Sequence, residues 1–130
     1  MTQPAHKISN APEHSTAYYF IEGLNEIGIE HLFCNFGTDH APTIEAMAER
    51  QKRGEKVPNV VLCPHENTAA HMAMGYATVT GRGQAVLVHV DVGTANTANG
   101  MHNLFRSRLP ALLMSGKAPY TSSNELVGSR

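Results

Sequence analysis

The sequence predicts an α/β domain, a doubly wound and mostly parallel sheet with helices on both faces. Four short apolar segments alternate with segments in which apolar residues recur every three or four positions. The short segments are apolar on consecutive residues, which is typical of parallel strands buried on both faces. With 130 residues, the chain has the length of one domain. We expect an extended lead-in over residues 1–14 and one domain over 15–130, cut short at its C-terminal end.

The first half of the chain carries signals for two helices and two strands. Ser15 is a favoured residue before a first helical turn, and Gly28 and Gly54 are favoured after a last one. Pro42 suits the first turn of the second helix, where no N–H is needed for hydrogen bonding. The predicted elements are a helix over 15–28, a strand over 31–36, a turn over 37–39, a helix over 42–54 and a strand over 59–63.

The second half repeats the alternation. A helix rich in Ala and Met is predicted over 66–80, and Gly81 ends it. The next strand is apolar throughout except for His89. The remaining predicted elements are a strand over 85–90, a turn over 93–96, a helix ended by Pro110 and a strand over 111–114.

Composition excludes several classes of function. The net charge of −1 provides no basic field for nucleic acid or for an anionic membrane surface. No apolar run is long enough to span a bilayer. Cys34 and Cys63 form no CxxC pair, and buried free thiols suit a reducing cytoplasm. Charged residues are only 16%, so we expect another chain or domain to cover part of the surface.

Candidate functional residues follow the predicted strands. Parallel α/β sheets bind ligands at the carboxyl ends of their strands. Four groups fall there: the turn with Thr38 and Asp39, the carboxylate Glu66, the imidazole His89, and the segment from Gly93 to Asn96.

Glu66 and His89 each have two interpretations from spacing alone. Glu66 could complement the helix dipole or act as a functional carboxylate beside an interface, because the small residues after it permit close approach of a second helix or another subunit. His89 could be a core residue or a proton-transfer group. His65 and His71 are six residues apart and cannot share a helical face, so no metal site is predicted.

The segment Cys63–Ala77, C-P-H-E-N-T-A-A-H-M-A-M-G-Y-A, resembles the (R/C)-x-H-E-x-x-A-x-x-M-A-x-G-Y-A stretch of thiamine diphosphate-dependent enzymes. Residues 80–88 resemble the continuation of that motif in the same family, which includes acetolactate synthase and benzoylformate decarboxylase. The resemblance covers about residues 16–117. It implies that 15–130 is the pyrimidine-binding domain, which holds the aminopyrimidine ring of the cofactor.

The resemblance also implies roles for particular residues. Glu66 would hydrogen-bond the ring nitrogen N1′ and so promote deprotonation of the thiazolium carbon that attacks a 2-oxo acid. It is also implied to contact the cofactor together with Thr38, Asp39, Gly93 and Asn96. Magnesium would be held by a diphosphate-binding domain of the same or another chain, and a homo-oligomer is expected.

The sequence departs from the family pattern at three places. Neither 37–40 nor 92–96 contains the proline that many relatives have. The string from His89 to Asn96, H-V-D-V-G-T-A-N, is closer to the H-S-A-A-G-T-G-N of benzoylformate decarboxylase, which makes His89 a candidate acid/base. No GDG metal motif occurs, so we expect a fragment of a longer chain or one subunit of a split enzyme. Two alternatives are a non-catalytic scaffold that pairs with a separate catalytic chain and a flavodoxin-like binding module.

Overall fold

The computed structural model describes residues 14–117, which form a four-stranded sheet with helices on both faces. Its elements are, in chain order, α1 (Thr16–Glu26), β1 (His31–Asn35), a 3₁₀ helix (Thr38–His40), α2 (Ala41–Lys52), β2 (Asn59–Leu62), α3 (Glu66–Thr80), β3 (Gln84–Val88), α4 (Val92–Asn96), α5 (Ala98–Ser107) and β4 (Ala111–Ser115).

The sheet has the strand order β2-β1-β3-β4, and every neighbouring pair is parallel. Phe33 on β1 is in register with Val61 on one side and Val86 on the other. The chain proceeds outward from β1 to β2 and then returns to the other side of β1 to form β3. The strand order therefore reverses between β1 and β3, and a crevice opens there at their carboxyl ends.

Alternate residues of the central strands point into two separate cores. Leu32 and Leu87 lie in the core beneath α1 and α2, while Phe33 and Val86 lie in the core beneath α3. Both cores are apolar, which explains why β1 and β3 are apolar on consecutive residues. The predicted parallel sheet with helices on both faces is confirmed.

The small residues of α3 are used inside this chain. Ala69, Ala70, Ala73 and Ala77 are buried, and α5 packs on α3. A Cβ placed on Gly100 of α5 would lie 2.5 Å from the Cβ of Ala70, so glycine is required at this helix crossing. Ala70 therefore faces α5, whereas Ala69 and Ala73 lie in the core against the sheet.

Several boundary predictions are confirmed and two are corrected. The Ser15 hydroxyl accepts a hydrogen bond from the Tyr18 N–H at 3.2 Å, and Gly81 ends α3 with a left-handed φ of 70°. The segment predicted as a turn over 93–96 is helical instead, as α4, and Thr97 separates it from α5. The predicted third strand ends at Val88, which leaves His89 just beyond it.

The predictions for the two ends of the chain fall mostly outside the described residues. Of the predicted lead-in, only His14 is described, and its ring stacks on Tyr18 at 3.9 Å between centroids. The expected early end of the domain lies beyond Lys117, which is also outside the described residues. Between His14 and Lys117, no helix is long and apolar enough to cross a membrane.

Candidate functional site

Glu66 begins α3 at the carboxyl edge of the sheet, next to the crevice. Its side chain is 13% exposed. The amide of Asn96, the last residue of α4, donates a hydrogen bond to Glu66 Oε2 at 2.9 Å. His65 caps the same helix end, since its Nδ1 accepts from the Asn67 N–H at 3.1 Å. Glu66 is thus held between two helix termini, with its carboxylate close to the surface.

The surroundings of Glu66 favour its ionised form. The hydrogen bond from Asn96 is the main cause that lowers the pKa of Glu66, and partial burial opposes it. Smaller contributions in the lowering direction come from its own backbone N–H, from His65 and from His89. Within this chain alone the shift is downward, because a neutral amide donor stabilises the charge.

Gly93 lies between Glu66 and His89 and packs closely against both. A Cβ at this position would lie 3.3 Å from Glu66 Oε1 and 3.4 Å from the Cβ of His89. The first separation is tighter than most contacts of a Cβ, so a side chain here would push against Glu66. The buried Gly93 therefore brings Glu66 and His89 together without a side chain between them.

His89 is paired with Asp39 across the crevice. The two atoms His89 Nδ1 and Asp39 Oδ1 are 2.5 Å apart, and since a carboxylate can only accept, Nδ1 carries the proton. The His89 side chain is 32% exposed, whereas that of Asp39 is 9% exposed. A Cβ on Gly37 would lie 2.1 Å from His89 Nδ1, so the glycine of the 37–40 segment lets the imidazole seat against the backbone.

Two further residues, Ser115 and Gly116, belong to the site and were not selected from the sequence, and the candidate turn 37–40 also contributes His40. His40 is buried and places Nε2 3.4 Å from Asp39 Oδ2. Ser115, which ends β4, hydrogen-bonds Thr94 Oγ1 at 2.5 Å and donates to the carbonyl of His89 at 3.3 Å. A Cβ on Gly116 would fall 1.5 Å from Asp39 Oδ2. The position of Ser115 and Gly116 directly after an apolar segment is the sequence signal that could have found them.

The structure brings together most of the residues that the sequence singled out. Glu66, Asn96, Gly93, His89 and Asp39 form a continuous series of contacts at one edge of the sheet. Thr38 is exposed at the rim of this series, at the start of the 3₁₀ helix.

Neither a cluster of metal ligands nor the groove at the amino end of β2 coincides with this site in the described part of the chain. Over residues 14–117, no group of three or more His, Cys, Asp or Glu side chains is placed to hold a metal ion. A groove of about 470 Å³ runs along the amino end of β2, with Glu30 and Lys56 in its wall. It lies at the edge of the sheet opposite Glu66 and shares no residue with the site.

Comparison with known sequences identifies the class of protein. The family of the thiamine pyrophosphate enzymes, N-terminal TPP binding domain, matches residues 14–128. An acetolactate synthase of Arthrospira platensis is 29% identical over 103 residues, which cover 79% of this chain and 17% of that protein. The mitochondrial acetolactate synthase catalytic subunit of Saccharomyces cerevisiae is 29% identical over 122 residues, 88% of this chain and 17% of that protein.

Solved structures agree with this relationship. The 4-hydroxybenzoylformate decarboxylase of Rhodococcus jostii RHA1, a thiamine diphosphate-dependent enzyme, superposes with a TM-score of 0.67 at 26% identity, over 79% of this chain and 18% of that one. A Mycobacterium smegmatis protein assigned to the thiamin diphosphate-dependent enzymes has the same fold, with a TM-score of 0.70 at 23% identity, over 85% of this chain and 20% of that one.

The chain belongs to the thiamine pyrophosphate enzyme family and corresponds to its N-terminal cofactor-binding domain. It spans about a fifth of the length of the relatives it matches, from 17% for the synthases above to 20% for the longest structural overlap.

Proposed function

We propose that this chain forms the pyrimidine-binding side of a thiamine diphosphate-dependent active site that acts on a 2-oxo acid. The observation that supports this most directly is the placement of Glu66. Its surroundings favour the ionised carboxylate, and Asn96 fixes it at the carboxyl edge of the sheet. A planar ring could approach Glu66 from the solvent side of this edge, since the side chain is 13% exposed.

In this proposal the Glu66 carboxylate hydrogen-bonds the ring nitrogen N1′ and stabilises a proton on it. A carboxylate that accepts a hydrogen bond from an amide keeps its second oxygen for another donor. Asn96 fixes the direction of that oxygen, so ligand binding need not reorganise the carboxylate. When bound, the cofactor supplies an electron sink for the carbanion that results from cleavage next to a carbonyl.

His89 is proposed as the acid/base group for the substrate. Because Asp39 accepts the Nδ1 proton, Nε2 is the nitrogen left to exchange a proton with a substrate atom. The ring is about one third exposed, which allows a ligand to reach it. Decarboxylase, lyase and carboligating transferase chemistry all need such a group, and we propose this class of reaction for the complete enzyme. Thr38, Asp39, Gly93 and Asn96 are proposed to border the bound cofactor.

The proposal extends to partners because this chain provides only one side of a site. Large apolar side chains are exposed on the outer faces of α3 and α5, among them Met72, Val79, Met101 and Phe105. Exposed apolar area of this kind favours contact with another domain or subunit. We propose a diphosphate-binding domain that carries the Mg²⁺ ligands, within a homo-oligomer in the cytoplasm.

Cofactor titration of the complete protein tests the proposal. Thiamine diphosphate and Mg²⁺ are added while circular dichroism of the cofactor bands and turnover of 2-oxo acids are recorded. We expect Glu66→Gln to fold and to lose turnover by about 100-fold or more, the scale of a lost proton-transfer group. Glu45→Gln on α2 is the matched control, since Glu45 is an exposed carboxylate away from the site.

The outcomes separate the alternatives. Binding of the cofactor with normal turnover in Glu66→Gln contradicts the role of Glu66. Failure of the unmodified protein to bind thiamine diphosphate at all favours the non-catalytic scaffold.

A further inference from the structure

His40 is a buried imidazole whose two nitrogens face different partners. The residue is 3% exposed and sits at the end of the 3₁₀ helix that follows β1. The Gly37 N–H donates a hydrogen bond to its Nδ1 at 3.0 Å. Because Nδ1 accepts, the proton of the neutral ring is on Nε2.

That Nε2 atom faces the carboxylate of Asp39. It lies 3.4 Å from Asp39 Oδ2, and both atoms are buried without a hydrogen-bond partner among residues 14–117. An unsatisfied buried donor opposite an unsatisfied buried acceptor is a costly arrangement unless the two serve each other. Gly116 closes over the same oxygen, which limits the directions in which the carboxylate can turn.

The other oxygen of Asp39 accepts from His89, so one carboxylate is shared by two imidazoles. The rings of His40 and His89 are 6.2 Å apart between centroids and lie on either side of it. The charged or titratable groups around His89 are Asp39, His40 and, across Gly93, Glu66.

We propose that His40 is a positioning residue, which holds Asp39 through Oδ2 so that Oδ1 keeps the His89 ring in one tautomer and one orientation. Its catalytic consequence rests on the proposed function, since His89 acts on substrate only in that proposal. The positioning itself is a property of the chain without cofactor.

Burial is consistent with a neutral donor in this place. Desolvation lowers the pKa of His40, although the Asp39 carboxylate and, to a smaller extent, the backbone carbonyl of Val88 act in the opposite direction. A neutral ring donates one N–H to Asp39 without neutralising its charge. Asp39 therefore remains an acceptor for His89.

Two substitutions separate positioning from a purely local role of His40. In His40→Asn the side-chain oxygen can replace Nδ1 as acceptor for the Gly37 N–H, but nothing reaches Asp39. In His40→Gln the amide can replace Nε2 as donor to Asp39, while the acceptor for Gly37 is lost. If His40 only accepts the Gly37 N–H, His40→Asn should behave like wild type. If His40 positions Asp39, His40→Gln should behave like wild type.

The readout is carbethoxylation of His89 by diethyl pyrocarbonate in the complete, cofactor-free protein, followed by peptide mass spectrometry. A second carbethoxy group on one imidazole requires an accessible Nδ1. We expect single modification of His89 in the folded wild type and in His40→Gln. We expect double modification in His40→Asn and in wild type unfolded in urea, which is the reference for an unprotected ring.

Turnover provides an independent second readout. With cofactor bound, we expect His40→Asn to lower kcat by about 10-fold with little change in the half-saturating cofactor concentration, and His40→Gln to stay within about 3-fold of wild type. Double modification of His89 in the folded wild type overturns the proposal, and so do equal effects of the two substitutions on labelling. If labelling follows the expected pattern while Glu66→Gln retains activity, the positioning stands and the proposed function fails.

Discussion

The contact between α5 and α3 makes a quantitative prediction for Gly100→Ala. The added Cβ would lie 2.5 Å from the Cβ of Ala70 and 3.2 Å from Asn67 Oδ1. Carbon atoms pack at about 3.5–4.0 Å, so α5 must move away from α3 by about 1 Å or more. Asn96, two residues before α5, would be displaced with it from its 2.9 Å hydrogen bond to Glu66.

Two opposing terms set the size of the effect. Forcing a methyl group into a packed contact costs about 1–3 kcal/mol, while replacing glycine by alanine inside a helix gains about 1 kcal/mol. We therefore expect Gly100→Ala to reduce the free energy of unfolding by about 0–2 kcal/mol. Gly75→Ala on α3 is the matched control, because a Cβ there meets no atom within 4 Å. It should raise the free energy of unfolding by about 1 kcal/mol.

Urea unfolding of the 130-residue chain, followed by circular dichroism, measures both variants. Both variants gain the same helix propensity. The difference between their free energies of unfolding therefore measures the cost of the clash at Ala70, which should be about 1–3 kcal/mol. The double variant Gly100→Ala with Ala70→Gly should lose less free energy of unfolding than the two single variants lose together, because the clash is removed. If Gly100→Ala stabilises the chain as much as Gly75→Ala does, the close approach of α5 to α3 is refuted.

Two other substitutions test the site in the complete protein. His89→Ala should slow the protonation or release step and change the product ratio, with His102→Ala on the exposed face of α5 as control; unchanged rates and ratios would make His89 a packing residue. Asn96→Ala removes the main cause that lowers the pKa of Glu66, so this pKa should rise in a carboxyl ¹³C NMR titration, whereas the exposed Asn99→Ala should not change it. The stability that depends on ionised Glu66 is present above its unfolded-state pKa and is lost as the pH falls through its folded-state pKa. The loss in free energy of unfolding caused by Asn96→Ala should therefore disappear in acid. A loss that is independent of pH would contradict stabilisation of ionised Glu66 by Asn96.

The sequence predicted the elements of the fold because their signals are local. Ser15 caps α1, and Gly28, Gly54 and Gly81 adopt the left-handed φ angles that end helices. The exception is the segment after β3. Glycine and threonine at 93 and 94 indicated a turn, yet the chain forms α4 there. Gly93 packs between Glu66 and His89 in this helix, and such a tertiary contact is not visible in local propensity.

The site could be predicted only as a set of loops at one edge of the sheet. Parallel strands bring the residues after β1, β2 and β3 to the same edge, which is how Asp39, Glu66 and His89 were found. The pairing of Asp39 with His89 spans 50 residues, and it depends on the register of β1 against β3. The position of Ser115 and Gly116 after an apolar segment places them at the same edge, but Gly116 has no side chain to suggest that it approaches Asp39.

The two carboxylates of the site are held by different kinds of partner, and this difference distinguishes their roles. Asp39 has its oxygens directed at two imidazoles of its own chain, and Gly116 closes over it. Glu66 has one oxygen bound by a neutral amide, and the other lies beside Gly93. Carboxylates placed in contrasting environments commonly divide into one that acts on the ligand and one that supports a neighbour. In the proposed function, a ligand at this edge of the sheet therefore contacts Glu66 directly, and Asp39 acts on it only through His89.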